Sequence, residues 1–172
     1  MTSFITPFQP ALKISDDIHQ SIWDCYFTSE QANWTAYLNQ VCLQTVLSWL
    51  QTEYDSHAHS ERDQQALHEF WQQTNGFSLQ VFSRRVIVIP SKTLDCDLSV
   101  PQVWIENANL VGDCYIAAQV DPDDATVLLW GYAPYQQLKA KAVLDDRNYI
   151  LDAQELIRDF AVFGAVQRLG GR

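Results

Sequence analysis

At 172 residues the chain has the size of one domain, long enough to bury a core without a metal or disulfide to hold it. Hydrophobic residues make up 47% and charged residues 19%, a globular balance that excludes a disordered chain. The formal charge of -10, with only two basic groups in residues 1–75, repels phosphates and anionic lipid heads, so nucleic acid and membrane surfaces are disfavoured as partners.

The chain opens Met1-Thr-Ser-Phe-Ile-Thr-Pro-Phe-Gln-Pro10, with no charged leader before an unbroken apolar run, so it does not read as a signal peptide. No stretch approaches the roughly 18–20 apolar residues that span a bilayer, and the expected location is the cytoplasm. Residues 1–14 are expected to be extended, because Pro7 and Pro10 discourage helix. Ser15 ahead of Asp16 and Asp17 forms a helix start, an N-cap followed by carboxylates at the positive end of the dipole. With Ile18, Ile22, Cys25 and Tyr26 at helical spacing, it predicts a helix over 16–27. Thr28 to Gln31 form a second start. Trp34, Leu38, Val41, Cys42, Thr45 and Trp49 then recur at three- and four-residue steps, flanked by Tyr37, Val46 and Leu50. The pattern predicts a long helix over 30–53 packed on the core. Residues 54–60 are polar and aperiodic and read as a loop. Ser60 caps a shorter helix carrying Leu67, Phe70 and Trp71, which Asn75-Gly76 ends because both residues tolerate a left-handed backbone.

Beyond this point the period changes from helical to alternating. Phe77, Leu79 and Val81, then Val86 to Ile89, predict strands separated by a turn or bulge at Ser83-Arg84-Arg85 and closed by Pro90. Val103-Trp-Ile105 is a short strand candidate. Asp113–Val120 and Thr126–Tyr132 predict a hairpin turning at Asp121-Pro-Asp-Asp-Ala125. Arg147–Leu151 is another strand, and Asp152 with Glu155 caps a terminal helix carrying Leu156, Ile157, Phe160 and Phe163. Helices first and strands later predict an α+β fold. N-terminal helices pack on a C-terminal antiparallel sheet of five or six short strands, able to curl into a small barrel, with a terminal helix. No linker or repeat divides the chain, so 1–172 reads as a single domain: a helical half over about 15–75, a strand-rich half over about 77–151 and the terminal helix over about 153–165.

Several of these segments occur together in one known family. Trp34-Thr-Ala-Tyr-Leu-Asn39 with Trp49-Leu50, Arg85-Val-Ile-Val-Ile-Pro90 and Val100-Pro-Gln-Val-Trp104 come first. Tyr115-Ile-Ala-Ala-Gln-Val-Asp121, Leu129-Trp-Gly-Tyr132, Gln137-Leu-Lys139 and Arg147-Asn-Tyr-Ile-Leu151 follow. In order and spacing, from about residue 30 to about 160, they resemble the cyanobacterial family labelled domain of unknown function 1822. The resemblance transfers no activity and no catalytic residue. It implies regulation by protein contact, because members are often encoded near alternative sigma factors or signalling proteins.

Candidate chemistry is sparse. His57, His59 and His68, with Glu53, Asp55, Glu61 and Asp63, form the one cluster of metal-like composition, with His57 and His59 its leading candidates. H-x-H in a polar loop is a weak signal that a solvated loop explains better, and no cofactor is expected. Cys96 between Asp95 and Asp97 is poorly placed to become a thiolate nucleophile. The other cysteines, Cys25, Cys42 and Cys114, read as reduced and mostly buried. Asp121, Asp123 and Asp124 lack the glycine and distal glutamate of a calcium loop, and a hairpin turn accounts for them. No nucleotide-binding, hydrolase or zinc-protease motif occurs.

Aromatic residues are abundant in the strand half, and their pairing with arginines suits a protein-binding face. Trp104, Trp130, Tyr132, Tyr135, Arg84 and Arg85 are the candidate interaction residues. The expectation is a non-enzymatic regulatory or adaptor protein acting on a protein partner, its acidic helical half steering a basic one. A small-ligand binder or enzyme with a site invisible to motif reading is the alternative, and requires a pocket with convergent polar groups.

Overall fold

A computed structural model describes residues 7–27, 34–60, 75–92 and 97–169. The first helix, α1 (Asp16–Phe27), begins where the sequence places it: the Ser15 hydroxyl accepts from the Ile18 amide at 3.3 Å. The second, α2 (Trp34–Tyr54), buries Ala36, Tyr37, Asn39, Val41, Cys42, Leu43, Thr45, Val46 and Leu50. These positions wrap more than one face, the mark of a helix surrounded rather than laid on a surface.

The surround is a six-stranded sheet. Its strands are β1 (Ala11–Lys13), β2 (Ala58–Ser60), β3 (Phe77–Val81), β4 (Arg84–Ser91), β6 (Cys114–Asp121) and β7 (Thr126–Pro134), in the order β1-β7-β6-β4-β3-β2. Because α2 touches all six strands, the sheet curls about it as an open half-barrel. A second, three-stranded sheet has the order β5-β9-β8, from β5 (Leu98–Pro101), β8 (Val143–Asp145) and β9 (Asn148–Leu151). Two short helices, α3 (Val103–Glu106) and α4 (Tyr135–Lys141), join it against the outer face of the half-barrel. The last helix is α5 (Phe163–Leu169).

The α+β class, the curled sheet and the C-terminal helix stand as expected. The sheet is mixed rather than antiparallel, since β4 pairs with β6 in parallel, Val86 opposite Cys114 through Ser91 opposite Gln119. The chain between them passes through β5 and α3, a crossover long enough to return it in the same direction. Strand alternation is the same for either direction and could not reveal this. The helical and strand halves are also not segregated, because β1 and β2 join the sheet. Residues 54–60 are not a loop: a 3-10 turn over Asp55–His57 leads into β2, an edge strand held by backbone bonds to β3. Val103 to Ile105 belong to a helix, packing Trp104 and Ile105 inward from its one turn. The terminal helix starts later than expected. Asp152 caps only a 3-10 turn, its carboxylate accepting from the Gln154 amide at 2.8 Å, and Ile157 bridges to Tyr132 before α5 begins. The expected helix carrying Leu67, Phe70 and Trp71, with His68 and Cys96, lies outside the described residues.

Side chains alternate across the half-barrel and sort into two cores. Val86, Val88, Cys114, Ile116, Ala118 and Val120 face α2 and α5. Ile87, Ile89, Tyr115, Ala117 and Ala133 face the small sheet, where they meet Leu98, Val100, Trp104, Leu138, Leu151 and Leu156. The hairpin turn is fixed as the sequence suggests: the Asp121 carboxylate accepts from the amides of Asp123 and Asp124, both at 3.1 Å.

Candidate functional site

The six candidate interaction residues do not share a face. Trp104 and Tyr132 are fully buried, in different cores on opposite sides of the half-barrel. Trp104 is drawn in by α3, and Tyr132 packs edge-on against Phe160 and Phe163. Trp130 is half-buried beneath the Arg158 guanidinium, 5.1 Å from its ring, and Tyr135 is half-buried at the start of α4. Arg84 and Arg85 are structural: the Arg85 amide donates to Asp113 at 2.9 Å, Arg84 lies 3.8 Å from the same carboxylate, and the Arg85 guanidinium donates to the Asn109 carbonyl.

The two candidate histidines lie on the 3-10 turn and on β2. His57 stacks on Phe82 at 4.9 Å, with Arg168 over the same ring at 4.6 Å. His59 is exposed on β2 opposite Gln80. Among the described residues no group of three or more His, Cys, Asp or Glu side chains could hold a metal ion.

An exposed aromatic cluster instead lies at the tip where α1 meets α2. His19 stacks on Trp23 at 5.9 Å, and Trp23 meets the edges of Trp34 and Tyr37 at 6.2 and 5.8 Å. Trp34 and Tyr37 are themselves edge-on at 5.6 Å, and the Tyr37 hydroxyl hydrogen-bonds His19 Nδ1 at 2.9 Å. Tyr37 is the buried root of the cluster, while Trp23 and Trp34 remain 38% and 45% exposed. Burial raises the Tyr37 phenol above its ordinary value, so it remains a neutral partner for the imidazole. The Lys92 ammonium sits 3.9 Å above the Trp34 ring, a cation–π contact. Neither α1 nor α2 contains a lysine or arginine, and α1 carries Asp16, Asp17 and Asp24. Helical spacing alone places Trp34 in the core stripe of α2. The usable signal was spacing, since His19/Trp23 and Trp34/Tyr37 are four- and three-residue helical neighbours.

Two adjoining clefts open where the small sheet meets the half-barrel. The deeper, about 480 Å³, has an apolar floor that includes Ile89, Leu98, Ala117 and Ile150 under a rim of Asn75, Ser91, Ser99 and Asn148. The wider, about 740 Å³, shares Asn75, Pro101 and Asn148 and adds Gln102, Glu106, Asn107 and Arg147. Glu106 accepts from Gln102 at 2.8 Å and from the Tyr149 hydroxyl at 2.9 Å. Those bonds hold its carboxyl below the ordinary range and push the Tyr149 phenol up. Asp97 accepts from the Ala153 amide at 2.9 Å. Both carboxylates in the clefts are exposed and already bonded to the protein, an arrangement that orders a rim rather than poising an acid or base.

The chain belongs to the family described as a protein of unknown function (DUF1822), which matches residues 12–169. No curated protein and no solved structure matches it. No helix among the described residues is long and apolar enough to cross a membrane.

Proposed function

We propose that this protein is a regulatory or adaptor protein without catalytic activity, and that it docks a basic segment of a protein partner on the aromatic tip of α1 and α2. The observation that carries the reading is the Trp23–Trp34 pair, large rings held in fixed mutual geometry yet open to solvent. Rigid aromatics cost little entropy when they bind, and they dominate interface hot spots. The charge around them selects the partner: three aspartates on α1 and no cation on either helix attract a basic chain. Lys92 over Trp34 is an intramolecular example of the contact an incoming Lys or Arg makes.

The test is capture from the native cell by the full chain, wild type against Trp34→Ala and against a triple Asp16→Asn, Asp17→Asn, Asp24→Asn variant, with circular dichroism to check folding. A stoichiometric partner held by wild type and lost about tenfold or more by Trp34→Ala supports the reading. Capture unaffected by either variant overturns it.

The inter-sheet clefts favour a second reading, a small-ligand protein, because their apolar floor and amide-bearing rim suit an uncharged polar molecule. A thermal-shift screen separates the two readings. A ligand in the cleft raises the melting temperature, and Asn148→Ala reduces the shift while Trp34→Ala does not.

A further inference from the structure

We propose that β8 is the contact edge of a homodimer, pairing antiparallel with β8 of a second copy so that the two small sheets join into one. The strand is β-paired on one side only, to β9, through Val143–Ile150, Leu144–Tyr149 and Asp145–Asn148. All three of its residues are exposed, with Val143 at 68% and Leu144 at 48%. Edge strands in soluble proteins are usually shortened, charged or covered, because a free row of N–H and C=O groups templates pairing. β8 is itself short, but two of its three residues are exposed aliphatics, and a solitary monomer gains nothing from exposing them.

Hydrogen-bond phase supports the contact. A two-residue turn, Asp146-Arg147, links β8 to β9, with Asp146 at φ 51. In such a hairpin the closing pair, Asp145 and Asn148, exchanges hydrogen bonds. By alternation Leu144 then turns its N–H and C=O away from β9, toward the open side. Two-fold antiparallel pairing centred on Leu144 satisfies those groups in both copies and sets Val143 of one beside Asp145 of the other.

Charge selects a second copy over a different partner. The strand enters from the Lys139–Lys141 end of α4, where Lys141 also pairs with Glu155 of its own chain, and leaves through Asp145 and Asp146, ahead of Arg147. An antiparallel two-fold brings the lysine end of one copy toward the aspartate end of the other, so the edge complements itself. Residues 135–155 hold three basic and four acidic groups, whereas residues 1–75 are strongly acidic. Like chains therefore meet here with little of the repulsion their net charge of -10 would otherwise impose. A three-residue ladder is a small contact, so the dimer is reversible and concentration-dependent.

Sedimentation velocity of the full chain over a broad concentration range tests this, with Leu144→Lys and, as a control at an equally exposed aliphatic residue elsewhere, Val162→Lys. The expected result is a monomer–dimer equilibrium in wild type and Val162→Lys, weakened about tenfold or more in Leu144→Lys with an unchanged circular dichroism spectrum. A wild type that stays monomeric throughout overturns the proposal, as does a dimer that survives Leu144→Lys or is lost equally in Val162→Lys. Trp34→Ala leaves this equilibrium intact, so failure here and failure of the aromatic docking site are told apart.

Discussion

The two faces of the half-barrel are covered in different ways. The inner face is closed by one long helix together with α5, and its core is mainly aliphatic and aromatic, with Asn39, Thr45 and Gln167 the buried polar residues those helices contribute. The outer face is covered by short pieces, none longer than seven residues, and polar bonds pin those pieces in place. The Tyr115 hydroxyl donates to the Trp104 carbonyl at 2.8 Å and accepts from the Gly112 amide at 2.9 Å. A long element can bring most of the apolar surface that seals a face, with few buried polar bonds such as that of Asn39, which accepts from the Gly76 amide at 3.1 Å. Short elements leave backbone groups unmatched and gaps between themselves, so they need side-chain hydrogen bonds, and the clefts open on their side.

The contrast can be broken first by cavities. Leu50→Ala, on α2 in the inner core, is expected to cost about 4–5 kcal/mol, the upper end for such truncations, because a helix clasped by six strands cannot collapse into the space. Leu98→Ala on β5, buried to the same degree, is expected to cost nearer ~2–3 kcal/mol, since short pieces relax inward. Equal losses in urea unfolding would erase the distinction. Tyr115→Phe comes next, at about 1–3 kcal/mol, because it strands a buried amide and a buried carbonyl while leaving the packing intact.

Thiol chemistry reads the seal directly. Cys42 and Cys114 both face the inner core, where burial raises each thiol, that of Cys114 to about 12, whereas Cys25 is exposed. Peptide mapping after alkylation at mildly alkaline pH should find Cys25 modified quickly, and Cys42 and Cys114 only as the chain unfolds. Early labelling of either buried thiol would mean that α2 opens locally. The smallest effect is Glu106→Gln at the rim of the wider cleft. Its folded-state carboxyl is depressed, chiefly by the Gln102 bond and then by Tyr149. The stability it contributes is present above the unfolded carboxylate range and vanishes as pH falls through the folded value. Wild type should exceed the variant slightly at neutral pH and match it in strong acid.

Legibility in the sequence followed the same division. α1 could be bounded from its Ser15 cap and its apolar spacing, and the β6–β7 hairpin from Asp121 and the strands around it, because caps, turns and periods act over a few residues. Val103 to Ile105 form a helical turn rather than a strand, and three apolar residues fit either equally well. The candidate interaction residues separate for a related reason. Trp104 and Tyr132 are as aromatic as Trp23 and Trp34, and residue type does not say which will be covered.

By itself the sequence determined the class of the fold, the long apolar helix, the alternating strands and the acidic character of the helical segment. All of these rest on local periodicity or on composition. The tertiary structure alone decided that β4 and β6 run parallel, that β1 and β2 close the ends of the sheet, and that the aromatic tip and the β8 edge remain open. Each of those depends on which distant segment fills the space beside a residue, and that is a property of the packed chain rather than of any short stretch of it.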